Sequence, residues 1–335
     1  MTVLHIAFLF FGTALVSLAA TGLILRVLKT QDIVDRPNER SSHEVPTPRG
    51  GGLAVIVVLL VAWVLSLGDN VASHQWLIIA TIFIGFISWI DDLRGLSPAL
   101  RLISQFIAVS MVFWLMPSSA LYFHGLIPFW LDNLIAILLW VWFLNLFNFM
   151  DGIDGITAVE SSGIGLGVFL LMTIGGAQMV HGLLGLSIAA AALGFLWWNW
   201  QPAKIFLGDV GSVPLGFLLG WLLLEILASP IWPAALILPL YYLADATITL
   251  IRRALRGEKV WRAHREHYYQ QAAKRGLSHG QISLCIAATN IILIGLAVLS
   301  ITHPVPAIIV AVILVGGLLL FMQGTNSSRD QKETI

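Results

Sequence analysis

The chain has 335 residues, 58% of them hydrophobic and only 11% charged, with 13 Trp and a formal net charge of zero. That balance excludes a soluble globular domain. Its only cysteine, Cys285, lies inside an apolar run, which excludes an intrachain disulfide and argues against a redox centre or a thiolate metal site.

Apolar runs of bilayer-spanning length, roughly 17 to 25 residues, occur at about 3–25, 51–67, 75–90, 99–116, 131–147, 161–175, 179–198, 213–229, 232–251, 281–300 and 305–322. They predict an all-α, polytopic membrane protein of about eleven transmembrane helices, one domain over 1–325 with a short tail at 326–335. The first run has no basic segment before it and is followed by Arg26 and Lys29, so it is expected to persist as a helix with its N-terminus outside. Alternation then places all 18 Lys and Arg on one side. The opposite loops, around 68–74, 117–130, 176–178, 230–231 and 301–304, hold none. Lys and Arg concentrate on the cytoplasmic side, so the basic side is read as the cytoplasmic face.

The first basic loop runs Asp35-Arg36-Pro37-Asn38-Glu39-Arg40-Ser41-Ser42-His43, then Pro46-Thr47-Pro48-Arg49 and three glycines. Glycines expose backbone N–H groups and Arg binds oxyanions as a fork, so phosphate contact is expected here, against a plain proline-stiffened turn. The second carries Asp91 and Asp92 directly after an apolar span. Two such charges ~6 Å apart at an effective dielectric of ~20 repel by about 2 to 3 kcal/mol, so a cation should offset them; Arg94 is the local candidate.

The third is Asn145-Leu146-Phe147-Asn148-Phe149-Met150-Asp151-Gly152-Ile153-Asp154-Gly155. Charges at membrane depth are expensive and point to function. Asp151 and Asp154, three apart, are expected on one helix face, while Gly152 and Gly155 let the backbone bend or approach a ligand. The fourth places Asp209 between Gly208 and Gly211, a setting for a metal ion with open positions or for an ordinary Asx turn, with Lys204 as a phosphate point charge. The fifth, about 252–280, holds Trp261-Arg262-Ala263-His264-Arg265-Glu266-His267. His264 and His267 are expected to share a helix face, and the arginines and aromatics suit either a nucleotide or an anionic lipid surface. Asp245, inside the ninth run, is read as pairing with Arg252 or facing the site.

Five acids, Asp91, Asp92, Asp151, Asp154 and Asp209, thus meet the basic face from three loops. With Arg, Lys and His for phosphate oxygens, these are parts of phosphoryl-transfer chemistry. The combination of DRPNERSSH with PTPRGGG, the Asp91-Asp92 pair, the DGIDG stretch, KIFLGDVGS and HREH resembles the polyprenyl-phosphate N-acetylhexosamine-1-phosphate transferase family, which belongs to glycosyltransferase family 4 and is related to phospho-MurNAc-pentapeptide translocase. The resemblance covers residues about 30 to 280 and five motifs in order. It implies a bacterial inner-membrane enzyme with a periplasmic N-terminus and a cytoplasmic C-terminus. The reaction it implies is attack by undecaprenyl phosphate on the β-phosphorus of a UDP-N-acetylhexosamine, releasing UMP and leaving a lipid that initiates O-antigen or another cell-surface polysaccharide.

By the same resemblance, Asp91 and Asp92 match the pair near the acceptor phosphate, Asp154 and His267 join them as catalytic candidates, and Arg49, Lys204, His264 and Arg265 are substrate-binding. Asp209, Asp151 and Asn148 would hold Mg2+, or Mn2+ in its place. No nucleic-acid partner is implied, membrane lipid surrounds the chain, and a homodimer is compatible. Relative to the peptidoglycan branch the spans number eleven rather than ten, Arg94 stands near the acid pair where that branch has a lysine, and Arg265 and Glu266 separate the histidines. These departures point to the branch using a simple UDP-sugar. A secondary transporter and a CDP-alcohol phosphotransferase are the rival readings. No internal repeat supports the first, and Asp154-Gly155 lacks the Arg and later aspartates of the second. A two-step route through an aspartyl phosphate stays open.

Overall fold

The computed structural model describes residues 2–35, 45–116, 121–175, 179–260 and 264–324. In chain order the elements are α1 (Val3–Thr30), β1 (Val34–Asp35), β2 (Thr47–Pro48), α2 (Gly52–Leu67), α3 (Val71–Arg94), α4 (Pro98–Leu115), α5 (Phe129–Phe149), α6 (Ile156–Ile174), α7 (Met179–Asn199), α8 (Asp209–Leu227), α9 (Pro233–Ile237), α10 (Leu240–Leu255), α11 (Tyr268–Lys274), α12 (His279–Leu299) and α13 (Pro304–Gln323). Strands β1 and β2 form a two-stranded antiparallel ribbon. The protein is therefore an all-α polytopic membrane protein. The tail at 326–335 lies outside the described residues.

Among the described residues nine segments are long and apolar enough to cross a membrane, one of them the 43-residue stretch Gly52–Arg94. That stretch is a hairpin. The start of α2 packs on Gly211 at the start of α8, and Asp92 near the end of α3 receives N–H groups from Asp209 and Val210 at that same end, so α2 and α3 run in opposite directions through the 3-10 turn at Gly68–Asn70. The ninth expected span differs more. It is cut into α9 and α10 around Pro239, which cannot donate to a preceding turn and clashes with it.

Packing sorts the helices by composition. In α8 nearly every side chain is buried against other helices, and α6 and α7 are mostly buried, whereas α1 and α13 turn residues such as Phe8, Leu15, Leu23, Ile309 and Ile313 outward. An all-apolar helix that is buried all round, such as α8, is a core helix; the outward apolar faces of α1 and α13 meet lipid. Small residues set the closest approaches. A Cβ on Gly52 would fall on the Cα and N of Gly211, backbone against backbone, so no rotamer change relieves it. Gly52→Ala is expected to destabilise the α2–α8 contact by about 3 kcal/mol and to lower the yield of monodisperse protein on size exclusion. Gly316→Ala, where no atom lies within 4 Å, should behave as wild type.

Candidate active site

The site is built where α8 begins. Gly208 adopts φ 77° and α8 starts directly at Asp209, so Asp209 belongs to a helix N-terminus rather than to a loop or an Asx turn. Such a terminus presents unpaired N–H groups and the positive end of the macrodipole. Asp92 fills that position: its Oδ1 accepts from Asp209 N at 3.0 Å and its Oδ2 from Val210 N at 2.9 Å. Asp91 and Asp92 are themselves helical, because α3 continues to Arg94 and stops only at Gly95 with φ 68°.

Two arginines neutralise the acids, and neither is Arg94. Arg49 Nη2 lies 2.6 Å from Asp209 Oδ1 and 2.9 Å from Asp92 Oδ1, and Arg101 Nη1 lies 3.3 Å from Asp91 Oδ2 and 3.7 Å from Asp209 Oδ2. Arg101 was not singled out as a site residue from sequence. The signal for it was Ser97-Pro98, a helix start whose Ser97 caps Leu100 N; one turn later Arg101 lies beside Asp91, which also accepts Leu96 N at 2.6 Å. Burial would lower the Arg49 value, but Asp209, Asp92, Asp35 and Asp151 outweigh it and hold the guanidinium above its ordinary range. Arg49 is 36% exposed and Asp209 15%, against 2% for Asp92, so a ligand can reach the first two.

The glycines after Arg49 do something other than bind phosphate. Gly50 and Gly51 N–H groups donate to Phe206 O, and Gly52 N–H to Leu207 O. The loop is thereby stitched to the approach of α8, which fixes Arg49 over the acids; its N–H groups are used within the fold. The first loop's residues 36–44, including Arg36, Arg40 and His43, lie outside the described residues, as do Trp261 and Arg262.

The DGIDG stretch is a turn, not a helix. Helix α5 ends at Phe149 and α6 begins at Ile156 after Gly155 with φ 80°, so Asp151 and Asp154 do not share a helix face. Asp151 Oδ1 accepts the Thr157 hydroxyl at 2.7 Å, and burial pushes its carboxyl up to about 6 against the pull of Thr157 and Arg49. Asn148 Oδ1 accepts the Ser212 hydroxyl at 2.6 Å, which joins α5 to α8. Asp154 goes elsewhere: its Oδ2 accepts Ala203 N at 3.1 Å, His279 Nδ1 lies 3.4 Å from its Oδ1, and its carbonyl accepts the Ser283 hydroxyl. It ties its own turn to the loop before α8 and to the first turns of α12. Lys204 stands off the acids with its ammonium 5.4 Å from the Trp198 ring centre.

The histidine loop also differs from expectation. Residues 264–267 precede α11 and are not helical, yet the His264 and His267 rings are 4.8 Å apart. Asp245 pairs with His267 rather than with Arg252. Its Oδ1 is 3.2 Å from His267 Nδ1, and its two oxygens accept Tyr268 N and Tyr269 N at 3.0 and 3.3 Å. A fully buried carboxylate therefore caps α11, and Gln270 completes a capping box with His267. Helix α11 in turn docks on the acidic turn, Tyr269 Oη donating to Phe149 O at 3.3 Å where Gly152 leaves it room. Burial, then His267 and Arg253, lower His264 to about 4. The folded chain then takes up its proton later than the unfolded chain, whose His titrates near 6.5. Stability is expected to fall as pH drops from about 6.5 to about 4, and His264→Gln should flatten that slope in thermal unfolding.

Among the described residues no three His, Cys, Asp or Glu side chains form a closed metal cage. The oxygens of Asp209, Asp151 and Asn148 nonetheless suit a hard cation. Mg2+ is typically held by one or two carboxylates with substrate phosphates completing its shell.

A profile described as Glycosyl transferase family 4 matches residues 74–227. The chain is 30% identical over 298 residues to a probable undecaprenyl-phosphate N-acetylglucosaminyl 1-phosphate transferase of Bacillus subtilis, covering 84% of this chain and 81% of that protein. It is 28% identical over 315 residues to a decaprenyl-phosphate N-acetylglucosaminephosphotransferase of Mycobacterium tuberculosis, covering 82% and 77%. A phospho-N-acetylmuramoyl-pentapeptide-transferase of Campylobacter jejuni matches at 32% over 227 residues, 58% of this chain and 64% of that one.

Proposed function

The chain belongs to glycosyl transferase family 4 and is a polyprenyl-phosphate N-acetylhexosamine-1-phosphate transferase; we propose that it takes the sugar phosphate from a UDP-N-acetylhexosamine and passes it to undecaprenyl phosphate. An acceptor phosphate oxygen bonds to the β-phosphorus, the bond from that phosphorus to the bridging oxygen breaks, and UMP leaves. The observation that carries this reading is the convergence of Arg49 and Arg101 on Asp91, Asp92 and Asp209 at the first turn of α8.

Asp92 has both oxygens committed to α8 and Arg49, which leaves it little capacity as a proton acceptor. Asp91, held beside Arg101, is the residue we assign to orient the acceptor phosphate and take its remaining proton. Arg49 and Arg101 steady the two anionic substrates against each other. Asp209, Asp151 and Asn148 would hold Mg2+ or Mn2+, which when bound supplies positive charge to the diphosphate and the departing UMP. His264, neutral near pH 7 because burial lowers its value to about 4, would bond to the nucleotide-sugar as an uncharged donor; Arg265 would fork onto its phosphates, and His267, held by Asp245, would set the loop. The basic end of the bundle faces the cytoplasm in this proposal, with the N-terminus periplasmic and the chain in the bacterial inner membrane.

The lipid product would start O-antigen or another surface polysaccharide. N-acetylglucosamine is the sugar to test first, since two relatives are named for it. Membranes containing the protein should be supplied with undecaprenyl phosphate and each UDP-N-acetylhexosamine in turn, and the lipid extract weighed by mass spectrometry. A pyrophosphate-linked N-acetylhexosamine lipid that forms with Mg2+ and fails in EDTA supports the proposal; formation independent of divalent cations would remove the metal role.

A further inference from the structure

A cleft of about 490 Å3 lies between α1 and α7 at the basic end of the bundle, lined by residues including Leu18, Gly22, Leu25, Arg26, Lys29 and Trp198. Its back wall is fixed: Trp198 Nε1 donates to Leu18 O at 2.8 Å, and a Cβ on Gly22 would sit 2.9 Å from the Trp198 ring. Arg26 and Lys29 are exposed and three apart on one helix, where like charges repel unless an anion lies between them. Among the described residues neither has an ion-pair partner, and no acid lines the cleft. Lys204 adds a third cation at the rim, over Trp198.

We propose that this cleft binds one anionic phospholipid, its phosphate between Arg26 and Lys29 and the start of its chains against Leu18, Leu25 and the Trp198 ring. Charge complementarity and an apolar floor at a bilayer face fit that ligand. The polyprenyl phosphate is a poorer occupant, because its phosphate must reach Asp91 and Asp209, and neither acid lines the cleft. The bound lipid would brace Trp198, whose carbonyl accepts Lys204 N, and through it the loop leading to α8.

The test uses the full chain in neutral detergent, titrated with phosphatidylglycerol or phosphatidylcholine and followed by native mass spectrometry. Wild type should retain one phosphatidylglycerol roughly thirty-fold better than phosphatidylcholine, the product of two surface-cation contributions. Arg26→Gln with Lys29→Gln should bring the two lipids near parity, with unchanged thermal unfolding in detergent; Lys29→Gln alone should lose roughly five-fold and serves if the double variant is unstable. The equal-charge control, Arg252→Gln with Lys259→Gln, should keep the preference. No preference in wild type, a preference that survives in the double variant, or equal loss in the control would overturn the proposal. So would displacement of the bound phosphatidylglycerol by equimolar undecaprenyl phosphate, which would make the cleft a carrier site.

Discussion

Asp209→Asn is expected to lower kcat by roughly a thousand-fold, the scale on which an enzyme loses a group that stabilises developing charge, while leaving thermal unfolding close to wild type. The asparagine keeps the shape and loses the charge. Arg49 and Arg101 retain Asp92 and Asp91 as partners, and removing one of three clustered acids relieves repulsion among the rest. Turnover measured across a Mg2+ titration checks the chemical part, and unfolding of the same preparation checks the fold. Wild-type turnover would take Asp209 out of the reaction.

Asp92→Ala should show the opposite pattern, with stability and activity falling together. It leaves two N–H groups in the first turn of α8 without their acceptor and Arg49 without one of its carboxylates. Buried charge-assisted hydrogen bonds of this kind are worth about 1.5 to 3 kcal/mol each, and water entering the gap recovers part of that, so a loss of about 3 kcal/mol is expected. With α8 loosened, Asp209 and Arg49 lose their register, and kcat should drop by about a hundred-fold or more. Asp92→Asn, able to accept one of the two N–H groups, should be intermediate in stability. A stable but inactive Asp92→Ala would instead move Asp92 into the proton-transfer role assigned to Asp91.

The apolar segments and the gathering of acids at one end were legible in the sequence because both are written in composition: long runs without charge, and charges confined to the run ends. Local geometry was not. Spacing alone set Asp151 and Asp154 on one helix face, but Gly155 takes a left-handed conformation and the chain turns there. The glycines after Arg49 read as phosphate donors, yet their N–H groups pair with Phe206 and Leu207, residues about 150 positions away. Arg101 and Asp245 depend on turns that spacing does not reveal: the helix start at Ser97-Pro98 sets Arg101 beside Asp91, and the chain returns after α10 to set His267, Tyr268 and Tyr269 on Asp245. Lys204 and Asp154 carry plausible motif positions, and the fold gives them Trp198 and Ala203 instead of the acid cluster.

The acids at the start of α8 are proposed to serve transfer of a sugar phosphate rather than of a sugar. Supplying a UDP-N-acetylhexosamine radiolabelled in its β-phosphate, with undecaprenyl phosphate and Mg2+, tests it directly. The label is expected to move into the lipid fraction while the nucleotide leaves unlabelled as UMP, and Asp209→Asn should stop both. Label recovered as UDP, with the sugar alone on the lipid, would contradict it.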